Sequence, residues 1–191
     1  DLAAAYAELA DAYVNDAFGA AHRAHASTEA VAHLLPSAAG RLLEREVSTL
    51  RGILEDPQRP LVAVVGGAKV TDKIGVLKAF LQRADAILIG GAMAFPFLSV
   101  QGHSIGDSLC ADEDLDPARE LLDAGSAKLP RTVDLVLGDR FAADAQRREL
   151  DGVDVPDGWM GLDIGERSAD EYREEVAGAG SVFWNGPMGA F

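Results

Sequence analysis

Short, uninterrupted apolar runs alternate with helix-length segments from residue 61 onward, and this alternation constrains the fold more than any other feature of the chain. The runs are LVAVV (61–65), AILIG (86–90), VDLVLG (133–138) and SVFWN (181–185). Helical patterns lie at 70–83, 92–101, 114–123 and 168–177, whereas 102–116 and 148–159 are predicted as loops. Apolar strands separated by helices are typical of a parallel sheet covered on both faces. The sequence therefore predicts an α/β fold with a three-layer, doubly wound parallel sheet, like a Rossmann fold.

The first sixty residues show a different organisation. Apolar residues recur at helical spacing over 2–12, and YVNDAF (13–18) has the β-branched and aromatic content of a strand. A second helix is predicted to open near Thr28 and to close at Pro36. The segment 38–56 is long and amphipathic and ends at the turn-rich sequence DPQRP. We interpret it as a helix that bridges two domains.

Composition and charge exclude several classes of function. Lys and Arg total 17 against 31 Asp and Glu, so the 191 residues carry a net charge of −14. Nucleic acids and anionic membranes require a basic surface, and we therefore expect neither as a partner. A small anionic substrate needs only a few local cations and stays compatible with this charge. Cys110 is the only cysteine, which rules out an intrachain disulfide and favours a reducing cytoplasm.

The turn after the first run, VGGAKVTDKIG, carries two lysines four residues apart, Lys69 and Lys73. On a helix, this spacing would place both side chains on one face. A helix N-terminus exposes free amides and a partial positive charge, and both favour an anion there. Gly66 and Gly67 would leave room for a phosphate close to the backbone. Taken alone, GGxK is more often an ordinary turn with two solvated lysines. The segment matches neither GxxxxGK[ST] nor GxGxxG, so neither the usual nucleotide-phosphate loop nor a dinucleotide fingerprint is present.

Two further Gly-rich turns follow other predicted strands, IGGAMAF (89–95) and WNGPMGAF (184–191). Ligands of open α/β sheets bind beyond the carboxyl ends of the strands. Asn185 could donate an amide N–H to a phosphate there, and Pro187 fixes the turn that follows. Each turn alone is explained by local backbone requirements. Three at one sheet edge favour a ligand site.

The sequence HRAH (22–25) is the other dense group of polar residues. His22 and His25 have no third or fourth metal ligand nearby in sequence, so we expect no metal site. Arg23 is a forked donor suited to a carboxylate or phosphate, although a surface salt bridge is the alternative. We find no arrangement of residues typical of a nucleophile with its base.

Five motifs, in this order, resemble those of the phosphoglycerate kinase family: YVNDAFGAAHRAHAST, VGGAKVTDKIGVL, IGGAMAFPFL, WMGLDIG and FWNGPMGAF. The form HRAHAST is similar to the bacterial type. The resemblance covers nearly the whole chain. It implies reversible phosphoryl transfer between ATP and 3-phosphoglycerate, with Mg²⁺, in a hinge-bending monomer of two lobes.

The resemblance also implies a domain assignment and roles for individual residues. Residues 1–37 would end an N-terminal, phosphoglycerate-binding domain, 38–57 would be the interdomain helix, and 58–191 would be an incomplete nucleotide-binding domain. The implied roles are substrate binding for Arg23, stabilisation of the transferring phosphoryl group for Lys69, binding of nucleotide phosphates for Lys73, lining of the nucleobase pocket for Gly91 and Gly161, the nucleotide-side turn for Asn185 and Pro187, and the hinge for Glu46. A nucleotide-binding piece without catalysis of its own is the alternative.

Overall fold

The computed structural model describes residues 1–129 and 132–190, which form two compact units, Asp1–Asp56 and Pro57–Phe191. The first unit contains α1 (Leu2–Ala7), β1 (Tyr13–Asn15), β2 (Ser37–Ala39) and α2 (Arg41–Glu55). The second contains β3 (Leu61–Gly66), α3 (Ile74–Arg83), β4 (Ala86–Gly90), α4 (Ala94–Val100), α5 (Leu115–Gly125), β5 (Leu135–Gly138), β6 (Arg147–Leu150), β7 (Met160–Ile164), α6 (Glu166–Gly178) and β8 (Ser181–Asn185). Over the described ranges, no helix has the length and apolar character that crossing a bilayer requires.

In the first unit, β1 and β2 form a parallel pair in which Tyr13 lies opposite Ser37 and Asn15 opposite Ala39. The start of α2 is held from the end of β1, because Asp16 Oδ1 accepts hydrogen bonds from the backbone N–H groups of Leu42 (2.7 Å) and Leu43 (3.0 Å). A carboxylate at this position satisfies amides that have no partner within the helix. The long helix predicted over 38–56 is present as α2, but it begins at Arg41 because Ser37–Ala39 form β2. Asp16, directly after β1, fixes its first turn.

Two other predictions for this unit are wrong in detail. The helix expected over 2–12 ends at Ala7, and Leu9, which continues its apolar spacing, is 81% exposed. The helix expected from Thr28 to Pro36 is a short 3₁₀ turn, Ala30–His33. The Thr28 hydroxyl donates to the Arg23 carbonyl (2.5 Å), so a polar side chain takes up backbone groups in a way that competes with helix formation.

The parallel sheet expected in the second unit is confirmed, with the strand order β4–β3–β8. All six residues of β3 are buried. On one face, Val62 and Val64 pack with Tyr172 of α6. Successive side chains of a strand point to opposite faces, and Phe183, the neighbour of Ala63, contacts Phe80 of α3, with ring centroids 4.9 Å apart. Helices therefore cover both faces, which explains the uninterrupted apolar runs.

One run does not join this sheet. The segment predicted as a strand at 133–138 forms β5, which lies between β6 and β7 in an antiparallel sheet. Both partner strands were missed. The sequence of β6, RREL, is largely exposed and polar, so it carries no apolar run, and β7, MGLDI, is only partly buried throughout. The short connection from β5 to β6 suits an antiparallel return, since a parallel crossover needs about a dozen or more residues.

Candidate nucleotide site

Three turns meet at the carboxyl edge of the parallel sheet, after β3, β4 and β8. The Gly91 N–H donates to the Met188 carbonyl (2.5 Å), and the Met93 N–H donates to the Gly67 carbonyl (3.0 Å). The Ala190 N–H donates to Leu162 of β7 (2.9 Å), which attaches the last turn to the antiparallel sheet as well. The Gly-rich turns singled out in the sequence are therefore hydrogen-bonded to one another.

Gly66 has a different use from the one the sequence predicted. A Cβ built on it would collide with the Pro187 carbonyl oxygen, so the missing side chain lets the third turn close on the first. Room near the backbone remains at Gly67, where a Cβ would lie 3.5 Å from Lys73 Cε and 3.9 Å from Met93 Sδ. Of the two glycines, only Gly67 therefore leaves open space, and that space lies beside Lys73.

A cavity of about 670 Å³ opens between these turns and β7. Gly91, Gly161 and Pro187, three of the residues assigned to nucleotide binding, lie in its wall together with Gly67 and Ala68. Pockets for small molecules commonly have volumes of about 300–1,000 Å³ and largely apolar walls. The size and lining of this cavity are therefore those of a small-molecule pocket.

Lys73 lies at the edge of this site and is partly buried. Its Nζ donates to the side-chain Oδ1 of Asn185 and to the Asn185 carbonyl (3.2 Å). The amide oxygen of Asn185 therefore faces the lysine, and its Nδ2 is the group available to donate to a phosphate. The two residues are 112 positions apart in the chain, and the sheet pairs them because β8 lies beside β3.

Lys69 does not share a helix face with Lys73, so that sequence expectation is wrong. Residues Thr71–Lys73 form a 3₁₀ turn and α3 begins at Ile74, which places Lys69 in the preceding loop. The Thr71 N–H donates to Asp114 Oδ1 (2.7 Å), a contact that fixes this start. Lys69 Nζ donates to Glu113 Oε1 (2.9 Å), and this hydrogen bond, together with the Glu113 charge, raises the pKa of Lys69.

Arg23 and Glu46 belong to the first unit. The Arg23 side chain is exposed, and its backbone is held in a turn in which its carbonyl accepts from the His25 N–H (2.9 Å). Glu46 is partly buried on α2. Across residues 1–129 and 132–190, no group of three or more His, Cys, Asp or Glu side chains is arranged to hold a metal.

The family model for phosphoglycerate kinase matches residues 1–191. The chain belongs to the phosphoglycerate kinase family. It is 50% identical to a phosphoglycerate kinase of Chloroflexus aurantiacus over its whole length, covering 48% of that relative, and 53% identical to one of Moorella thermoacetica over 97% of its length. The chain thus spans about half the length of the curated relatives it matches.

Solved phosphoglycerate kinases have the same fold. The structure from Coxiella burnetii matches all of this chain with a TM-score of 0.87 at 42% identity, and this chain covers 50% of it. The structure from Pyrococcus horikoshii matches 96% of this chain with a TM-score of 0.83 at 30% identity. The resemblance stated from the motifs, and the α/β fold it implied, are confirmed.

Sequence reasoning missed the large exposed apolar residues in the wall of the cavity, Leu109 and Phe141. Their side chains are 62% and 73% exposed, although both are large and apolar. The available signal was a bulky apolar residue in a polar loop that follows a predicted strand, as in GDRFAAD after VDLVLG. Both residues give the opening of the cavity an apolar surface.

Proposed function

We propose that this chain supplies the nucleotide site of a phosphoglycerate kinase. The whole protein would transfer a phosphoryl group reversibly between ATP and 3-phosphoglycerate, giving ADP and 1,3-bisphosphoglycerate, a step of glycolysis and gluconeogenesis. One observation carries the proposal: three hydrogen-bonded turns enclose a cavity walled by Gly91, Gly161 and Pro187, with Lys73 beside it. Family membership supports this choice of reaction.

The residue roles implied by the family resemblance agree with the chemistry of phosphoryl transfer, in which positioning and charge stabilisation do most of the catalysis. The cavity would hold the nucleobase, while Lys73 and Asn185 Nδ2 would bind nucleotide phosphates. Lys69 would stabilise the phosphoryl group in transfer, and Arg23 would bind 3-phosphoglycerate through its guanidinium fork. Glu46 on α2 would take part in the hinge.

Magnesium would reach this site bound to the nucleotide. Mg²⁺ usually keeps several waters and is bound by one or two carboxylates plus substrate phosphates. Single carboxylates, rather than a cage, are what the described residues offer, and Asp72 is exposed in the turn between the two lysines. A single carboxylate would be the protein's contribution, and the ion would neutralise phosphate charge there.

The remaining assignments rest on the family resemblance. We assign residues 1–37 to the phosphoglycerate-binding domain, 38–57 to the interdomain helix and 58–191 to the nucleotide-binding domain. The division of the structure at Asp56 and Pro57 supports a boundary near this point. We further propose a cytoplasmic monomer, with ATP, ADP and 3-phosphoglycerate as its ligands and without nucleic-acid or membrane partners.

The decisive experiment substitutes Lys69→Ala in the complete protein and measures turnover with ATP and 3-phosphoglycerate. We expect turnover to fall by about two to four orders of magnitude, because a preorganised cation at the transferring group is lost, while far-ultraviolet circular dichroism is unchanged. Lys78→Ala is the matched control, since Lys78 also forms an exposed pair, with Glu120 at 3.0 Å, but lies on α3. Turnover of Lys69→Ala equal to that of the control would refute the role of Lys69.

A further inference from the structure

An acidic 3₁₀ turn, Asp112–Asp114, lies against the loop that carries Lys69. Two of its carboxylates contact this loop in different ways. Asp114 Oδ1 accepts from the Thr71 backbone N–H at 2.7 Å, and Glu113 Oε1 accepts from Lys69 Nζ at 2.9 Å. One acidic turn therefore contacts both the backbone and the ammonium group of the lysine segment.

The two contacts differ in how easily they can break. Asp114 is 1% exposed, so its bond to Thr71 is shielded from water and fixes the backbone. The side chains of Lys69 and Glu113 are 49% and 60% exposed. Exposed ion pairs contribute little and are screened by salt, so this one can open at small cost. Because Asp114 holds the backbone, Lys69 can leave Glu113 by rotation of its own side chain.

We propose that Glu113 is a positioning residue that holds the Lys69 ammonium in the nucleotide-free protein and competes with the nucleotide's terminal phosphate for it. The proposal rests on the function proposed above. An incoming phosphate, with more negative charge and more acceptor oxygens than a carboxylate, would displace Glu113 and take over Lys69. Glu113 thereby keeps Lys69 away from other anions until a polyphosphate arrives.

The proposal predicts that removing the Glu113 charge strengthens nucleotide binding through Lys69 in particular. In the complete protein at low salt, we expect Glu113→Gln to lower the Kd for ATP by about two- to five-fold, the scale of an exposed ion pair. We expect a smaller gain with ADP, because Lys69 is assigned to the phosphoryl group that ADP lacks. High salt should reduce both gains. Isothermal titration calorimetry gives these constants.

The matched control is Asp112→Asn. Asp112 is exposed in the same turn, so this substitution changes the local charge equally while leaving the Lys69–Glu113 pair intact. We expect Asp112→Asn to lower the Kd for ATP by less than about 1.5-fold, as for a distant, screened charge. In the Lys69→Met background, we expect Glu113→Gln to lower the Kd for ATP by no more than Asp112→Asn does.

Two results would overturn the inference alone: equal gains from Glu113→Gln and Asp112→Asn, or a gain that survives in the Lys69→Met background. Both would mean that Glu113 acts through its general charge. Absence of ATP binding by the wild-type protein would overturn the proposed function, and this inference with it. The two failures are therefore distinguishable within one set of titrations.

Discussion

At the scale of single residues, Gly91 shows how tightly the cavity wall is specified. Its φ of +68° is disfavoured for residues with a Cβ, and a Cβ there would lie 2.8 Å from the Gly67 carbonyl oxygen. We expect Gly91→Ala to raise the Kd for ADP at least about ten-fold and to lower the free energy of unfolding by about 1–2 kcal/mol, from the backbone conformation alone. Calorimetric titration and urea denaturation measure the two effects.

Gly102 provides the control for this prediction. Its φ is +92°, yet a Cβ there would meet nothing within 4 Å. Gly102→Ala should therefore cost a similar free energy of unfolding while leaving ADP affinity within about two-fold, since it carries the backbone penalty alone. If both variants lost ADP affinity equally, the loss would reflect stability rather than the shape of the cavity wall.

The residue scale also shows what a sequence can and cannot predict here. The motifs identified Lys69, Lys73 and Asn185 as residues of interest, because their types and neighbours carry chemical information. Their partners were not predictable: Lys73 contacts Asn185 across 112 positions, and Lys69 contacts Glu113 across 44. Spacing of four implies a shared helix face only where a helix exists, and the 3₁₀ turn before Ile74 removes that condition.

At the scale of elements, α6 depends on a buried cap supplied from the entry to β5. Asp134 Oδ1 accepts from the Ser168 N–H (2.8 Å) and hydroxyl (2.6 Å), and Oδ2 accepts from the Arg167 N–H (2.9 Å). Asp134 is 8% exposed and Ser168 is fully buried. We expect Asp134→Ala to lower the free energy of unfolding by about 1–3 kcal/mol, because buried amides lose their acceptor. Urea denaturation measures this loss.

Stability should also depend on pH through this carboxylate. Burial opposes ionisation of Asp134, but hydrogen bonds from Ser168 and Arg167 and the Arg167 charge outweigh it and lower its pKa. A pKa lower in the folded than in the unfolded state stabilises the fold at neutral pH, and this contribution is lost as pH falls through the folded value. In Asp134→Ala, the free energy of unfolding should therefore fall less steeply than in the wild type as the pH is lowered. The control is Asp151→Asn, because Asp151 is a partner of Arg167 that is 86% exposed. This substitution should leave the pH dependence of the free energy of unfolding nearly unchanged.

The sequence predicted those strands that are buried on both faces of the sheet, because such strands are continuous apolar runs. β3 and β4 are continuous apolar runs, and the structure has them at the expected positions. β6 and β7 were not predictable by the same rule, because an exposed antiparallel strand such as RREL has neither an apolar run nor a clear alternation. Their pairing with β5 depends on long-range contacts that local composition does not encode.

At the scale of the whole molecule, the residues proposed to bind the nucleotide lie in a different compact unit from Arg23, which is proposed to bind 3-phosphoglycerate. Lys69, Lys73, Gly91, Gly161 and Asn185 all belong to Pro57–Phe191, whereas Arg23 belongs to Asp1–Asp56. Because these proposed residues share one compact unit, they can retain some affinity for a nucleotide without the rest of a larger protein. Nucleotide binding and phosphoryl transfer should therefore have different requirements for chain length.

We accordingly expect these 191 residues, produced by themselves, to bind ADP but to form no detectable 1,3-bisphosphoglycerate. Transfer requires an acceptor carboxylate held in line with the terminal phosphate, and its loss removes most of the rate enhancement that positioning provides. The chain spans about half of its relatives, so contacts to 3-phosphoglycerate beyond Arg23 are expected elsewhere in the complete protein. The comparison is between the 191 residues and the complete protein, with ADP titration and a coupled assay of bisphosphoglycerate formation on both. ADP binding by both with turnover by the complete protein alone is the expected result, and turnover by the 191 residues would contradict the division of the site between chain segments.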